Sequence, residues 1–158
     1  MDPFAFYALV VDNNPLFRMN AQAILAKAGF RVFAAAKCED ALEILSKRGH
    51  GITLLFTDVE MPSGTMTGFS LARYCASGWP HIGILVAAGA NLPKQGDLPA
   101  HVRFIQKPFN EAVVKHHLKQ VLPEQQQPCR LRMALVQDQG VPDFGEPWRS
   151  PSDLRNEG

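Results

Sequence analysis

The sequence predicts an α/β protein with a doubly wound parallel sheet, and three observations carry that prediction. Short apolar runs alternate five times with stretches of helical periodicity. Several of these runs are apolar throughout rather than at every second residue, as strands covered on both faces are. Polar residues cluster directly after the first, third and fifth runs, at the carboxyl ends of strands, where such sheets place their sites.

The first strand is expected at residues 5–11 (AFYALVV), rich in aromatic and β-branched side chains and stopped by DNNP. Asn13 or Asn14 can cap the helix that follows, and Pro15 suits its first turn, where a missing N–H costs nothing. Leu16, Met19, Ala23 and Ile24 recur at helical spacing, and Gly29 is a natural stop. Residues 30–35 (FRVFAA) form a second strand. Residues 39–48 form a helix with Ala41, Leu42 and Leu45 on one stripe. Residues 52–57 (ITLLFT) form a third strand, and 61–67 (MPSGTMT) a loop. A helix at 69–76 leads to a fourth strand at 82–87 (IGILVA). Residues 88–101 hold Gly and Pro with little periodicity, so the fourth helix is expected to be short or irregular. A fifth strand at 102–105 turns through QKPF into a last helix at about 110–121. Strands separated by helices imply parallel pairing through right-handed crossovers.

Composition narrows the function. The chain has 158 residues, 46% hydrophobic and 20% charged, with net charge +1. That is globular composition, without the broad positive field of a nucleic-acid binder. No apolar run approaches the length needed to cross a bilayer, and no basic, apolar leader precedes the first strand. Cys38, Cys75 and Cys129 form no CxxC pair and read as reduced thiols, so a cytoplasmic protein is expected. Residues 1–122 carry an excess of basic side chains. Residues 123–158 are acidic and rich in Pro and Gln. The expected organisation is therefore a domain at 1–122 and a C-terminal extension at 123–158.

Asp12 and Asp58 follow strands that neighbour each other in a doubly wound sheet, and Lys107 approaches from the other side. A carboxylate beside a divalent ion and a lysine can attack a phosphoryl group. The ion offsets charge repulsion and the lysine pairs with developing charge. Oxygen ligands suit Mg2+.

The segments VVDNNP, FTDVEMPSG and QKPF, in this order and spacing, resemble the receiver domain of bacterial response regulators over about residues 5–122. The pairs at Gly29-Phe30 and Gly68-Phe69 are similar too. The resemblance implies the (βα)5 receiver or flavodoxin-like fold, with strand order 2-1-3-4-5. It implies that Asp58 is the phospho-acceptor, Lys107 the phosphate-pairing cation and Phe104 the aromatic switch residue. Mg2+ would lie among Asp12, Asn13, Asp58 and the backbone carbonyl of Glu60. A sensor histidine kinase or histidine phosphotransfer protein is the implied partner, with output through protein–protein contact and no turnover chemistry beyond self-phosphorylation.

Two departures from the family pattern matter. Asn13 stands where a second acid is usual, so the metal site loses a formal charge and Mg2+ affinity should fall; Asn13 also reads as a plain helix cap. Ala87 stands where Thr or Ser is usual, and a methyl cannot donate a hydrogen bond to phosphate. These positions favour the alternative of a pseudo-receiver, a phosphorylation-independent interaction module. A flavin protein and a small-substrate enzyme are further rivals; for the latter, no GxGxxG or P-loop follows the first strand.

In the extension, Leu131, Met133 and Leu135 alternate with Arg130, Arg132 and Ala134. This period of two predicts a strand near 130–136, the alternative being a disordered tail in which the alternation is chance. Such a strand needs a sheet to join, and exchange between two copies would give a homodimer. The extension shows neither a helix-turn-helix nor zinc-ligand spacing, so no nucleic-acid partner is expected, and the lack of a membrane-length apolar run leaves no membrane partner expected.

Overall fold

The computed structural model describes residues 2–59, 66–89 and 102–138, with backbone alone for 134–138. Five strands form one parallel sheet in the order β2-β1-β3-β4-β5: β1 Phe6–Val11, β2 Phe30–Ala35, β3 Ile52–Asp58, β4 Gly83–Ala88 and β5 Arg103–Gln106. This is the order expected from the sequence. Five α-helices are described: α1 Pro15–Lys27, α2 Cys38–Arg48, α3 Gly68–Gly78, α4 Glu111–Val121 and α5 Cys129–Asp138. The irregular fourth helix expected within 88–101 falls largely outside the described residues, as does Glu60.

Local chemistry sets the helix ends. The Asn14 side chain accepts hydrogen bonds from the backbone N–H groups of Leu16 and Phe17 and starts α1. Asn14, and not Asn13, is thus the cap. Thr67 accepts from Ser70 N at the start of α3, and Asn110 accepts from Val113 N at the start of α4. The α2 helix has no side-chain cap. Instead Glu39 and Asp40 in its first turn and Lys47 and Arg48 in its last complement its dipole. Gly29 ends α1 at φ 105°, a left-handed conformation that favours glycine.

Two apolar layers flank the sheet. One holds Leu9, Leu45, Leu55, Leu71 and Cys75 under α2 and α3. The other holds Val10, Leu25, Leu85, Val114, Leu118 and Leu131 under α1, α4 and α5. The buried face of α1 differs from the expected stripe. Ala21, Ile24 and Leu25 point inward, while Leu16 and Met19 stand 77% and 63% exposed. Apolar spacing alone admitted either phase, and contact with β1 and β2 chose the inner one.

The extension also departs from expectation. Residues 130–136 lie in helix α5, not in a strand. A strand would put Leu131 and Met133 on one face; here Leu131 is 0% exposed and Met133 58%. A helix satisfies its own backbone hydrogen bonds without an open sheet edge, and it still buries Leu131 in the domain's own core. A 3-10 turn at Glu124–Gln126 folds the chain back, and Gln127 then donates its side-chain N–H to Leu122 O at 2.9 Å and Lys119 O at 3.4 Å. Gln127 thereby satisfies carbonyls left over at the end of α4.

Candidate functional site

The sheet brings Asp12, Asp58 and Lys107 together from three separate strand ends. Asp12 follows β1, where its N–H donates to Ala35 O at 3.1 Å. Its Oδ1 accepts from Asn14 N at 2.9 Å, and its carbonyl accepts from Arg18 Nη1 at 2.8 Å. The turn that caps α1 therefore also orients this carboxylate. Asp58 ends β3, in register with Ala87 of β4. Lys107 follows β5, its N–H donating to Ala88 O at 2.8 Å, and the Lys107–Pro108 peptide bond is cis.

The lysine joins the two acids. Lys107 Nζ lies 2.9 Å from Asp12 Oδ2 and 3.2 Å from Asp58 Oδ1. Asp12 and Asp58 are 5% and 3% exposed, and the Lys107 side chain 11%. Carboxylates so buried are stable as ions only when paired. The pair with the ammonium leaves one net negative charge, suited to a cation.

A cleft of about 420 Å³ opens onto these groups, lined by Asn13, Asn14, Phe17, Asp58, Gly89, Lys107 and Pro108. The donor set that Asp12, Asn13 and Asp58 offer is all oxygen, as Mg2+ requires, with an amide in place of a third acid. Among the described residues, no group of three or more His, Cys, Asp or Glu gathers to hold a metal. Two carboxylates and one amide oxygen are hard donors that suit a divalent ion, one formal charge short of a three-acid set.

Three further features lie beside the site. Phe17 places its ring 4.2 Å from Lys107 Nζ. At the start of α3, a Cβ built on Gly68 would lie 1.8 Å from Asp58 O, so only glycine lets the helix approach. Burial, and then the charges of Glu39 and Asp58, push the Cys38 thiol up to about 11, leaving it neutral. The GF pair in the sequence marked Gly68. Phe17 carries no signal in the sequence beyond its apolar character, and Cys38 reads there only as a reduced thiol.

Ala87 and Phe104, the positions expected to form the switch, lie on opposite faces of the sheet. Ala87 is 1% exposed and packs in the α1 layer. Phe104 pairs in register with Val86, is half-buried and packs against the opposite layer.

A parallel five-stranded sheet with an acid–lysine–acid cluster at its carboxyl edge is the architecture of a two-component receiver. The pattern of the response regulator receiver domain matches residues 8–119, and the chain belongs to that family. It is 30% identical over 120 residues to the sensor kinase CckA of Brucella abortus, spanning 74% of this chain and 12% of that protein. It is 35% identical over 75 residues to the two-component response regulator ARR2 of Arabidopsis thaliana, spanning 46% of this chain and 11% of that one. The chain thus covers only a small part of these curated relatives. Among solved structures, it superposes on a response regulator receiver protein from Sinorhizobium medicae with TM-score 0.67 and 25% identity, covering 82% of this chain and 99% of that one. The Vibrio cholerae chemotaxis protein CheY4 gives TM-score 0.64 and 26% identity, covering 75% and 99%. No helix among the described residues is long and apolar enough to cross a membrane.

Proposed function

We propose that Asp58 accepts a phosphoryl group from a sensor histidine kinase or a histidine phosphotransfer protein in the cytoplasm, and that the modified domain signals by protein contact. The observation that carries this reading is the Lys107 ammonium held within 2.9 and 3.2 Å of both carboxylates. An Asp58 carboxylate oxygen forms the new P–O bond as the P–N bond to the donor imidazole breaks. The electron pair leaves on the imidazole nitrogen, which takes up a proton. Lys107 stands where it can pair with a phosphoryl oxygen while Asp12 keeps it oriented.

Asp12, Asp58 and the Asn13 amide oxygen would hold Mg2+, with the Glu60 carbonyl supplied by resemblance. When bound, the ion offsets the repulsion between carboxylate and phosphate. The amide at Asn13 removes a full charge from that set, so affinity falls. The partner would meet an apolar surface beside the cleft, because Leu16 and Met19 stand exposed on α1. Among the described residues of the extension, 129–138 are helical, so a homodimer through them would use the outer face of α5 rather than an exchanged strand.

Incubation with acetyl phosphate and Mg2+, followed by intact-mass measurement, tests the reading. One added phosphoryl group, lost in Asp58→Asn, is expected. An unmodified mass under every condition refutes the acceptor role.

The second reading, a phosphorylation-independent module, is favoured by Ala87. A buried methyl there offers no hydroxyl to phosphate, and Phe104 packs on the other face. Phosphoryl uptake that leaves the NMR shifts of β4 and β5 unchanged would support it.

A further inference from the structure

We propose that Phe17 is a positioning residue that holds the Lys107 ammonium between Asp12 and Asp58. The proposal rests on the phospho-acceptor reading above. A lysine stem has many rotamers, and fixing its head at one point costs conformational entropy. Two contacts with anions constrain Lys107 here, at 2.9 and 3.2 Å. Asn13 is neutral and supplies no further anion. The ring of Phe17 adds a third constraint, with the ammonium 4.2 Å from its centroid. A cation over a ring face is attracted by the ring's negative centre, more strongly where water is excluded. The Lys107 side chain is only 11% exposed.

The ring is itself supported. Its centroid lies 6.2 Å from that of Phe109, which lies 5.3 Å from that of Phe56 on β3. Phe109 is 8% exposed and follows Lys107-Pro108 directly. Phe17 N donates to the capping Asn14 side chain at 3.4 Å, so the start of α1 fixes its backbone. The row Phe56–Phe109–Phe17 thus gives the lysine a floor built from β3, the loop after β5, and α1. A Leu or Met in place of Phe17 would fill space without a polar face for the ammonium, whereas Tyr would keep the ring.

Two readouts on the full chain test this: the 1H shift of the Lys107 ε-methylene, and the rate of phosphoryl uptake from acetyl phosphate with Mg2+. In the native protein and Phe17→Tyr, the ring should move the methylene protons upfield. Phe17→Leu and Phe17→Met should abolish that shift. The two non-aromatic variants should also take up phosphate about five- to thirtyfold more slowly, with Tyr restoring the rate. Phe17→Met guards against a folding defect peculiar to Leu, and circular dichroism checks both. A Lys107 shift that does not respond to Phe17→Leu overturns the proposal, as does a lost shift with an unchanged rate. A native protein that takes up no phosphate but shows the ring shift refutes the acceptor reading and the positioning role built on it. The ring shift then identifies the acceptor chemistry, not the Phe17–Lys107 contact, as the failed part.

Discussion

Replacing Gly68 with Ala sets two effects against each other. Alanine favours a helix interior by up to about 1 kcal/mol over glycine, so propensity alone predicts a more stable protein. The packing predicts the reverse. The new Cβ would lie 1.8 Å from Asp58 O, 2.7 Å from its carbonyl carbon and 2.8 Å from Val59 Cα, where ordinary contact begins at 3.4 Å. One side must therefore yield by about 1.6 Å. All three atoms are backbone, so no side-chain rotation relieves the overlap. Overpacking of this kind costs about 1–3 kcal/mol, which exceeds the propensity gain at the first residue of α3. The strain falls on Asp58, the proposed acceptor. A displacement of about 1 Å at a reacting centre can cost about a hundredfold in rate. Urea unfolding and the rate of phosphoryl uptake, followed by intact mass, measure the two effects. A Gly68→Ala protein as stable as the native one, with an unchanged uptake rate, would refute the account of why α3 begins with glycine.

Other consequences are as direct. Leu131→Ala should cost about 3 kcal/mol in urea unfolding, because the side chain is fully buried; a cost near zero would show that α5 is not part of the core. Removing residues 123–158 should cost more, since the Gln127 bonds at the end of α4 are lost too. Burial, then the charges of His116 and Arg103, lower His117 from 6.5 to about 4, so the unfolded chain binds the proton more readily. Stability should be complete above about pH 6.5 and fall as pH drops towards 4, and His117→Gln should flatten that part of the profile. Iodoacetamide at neutral pH should modify exposed Cys129 first, because burial raises the Cys38 and Cys75 thiols to about 11 and 12; equal labelling of all three would contradict the packing.

The legible parts of the site are those with a local signature. Asp12, Asp58 and Lys107 each follow an apolar run, and a parallel sheet gathers the carboxyl ends of its strands at one edge, so their shared edge is legible in the sequence. The choice between Asn13 and Asn14 as cap could not, since adjacent residues differ only in which one reaches back to the N–H groups of Leu16 and Phe17. Phe17 itself was hidden among the apolar positions of α1. Its partner lies 90 residues away in the chain and meets it only through the sheet.

By itself, the sequence determined the alternation of strands and helices, the strand order through its motifs, and the chemical identity of the acid–lysine cluster. The alternation and the cluster follow from periodicity and residue type, which act over a few neighbours; the strand order follows from the resemblance that the motifs carry. Tertiary structure decided which face of α1 is buried, that residues 129–138 are helical, and that an aromatic ring underlies the lysine. Each of those depends on contacts between distant segments. In the extension, Leu131 could meet a short-range pattern of period two or bury itself in the domain core. Burial of a whole leucine outweighs the modest preference of a short segment for one secondary structure.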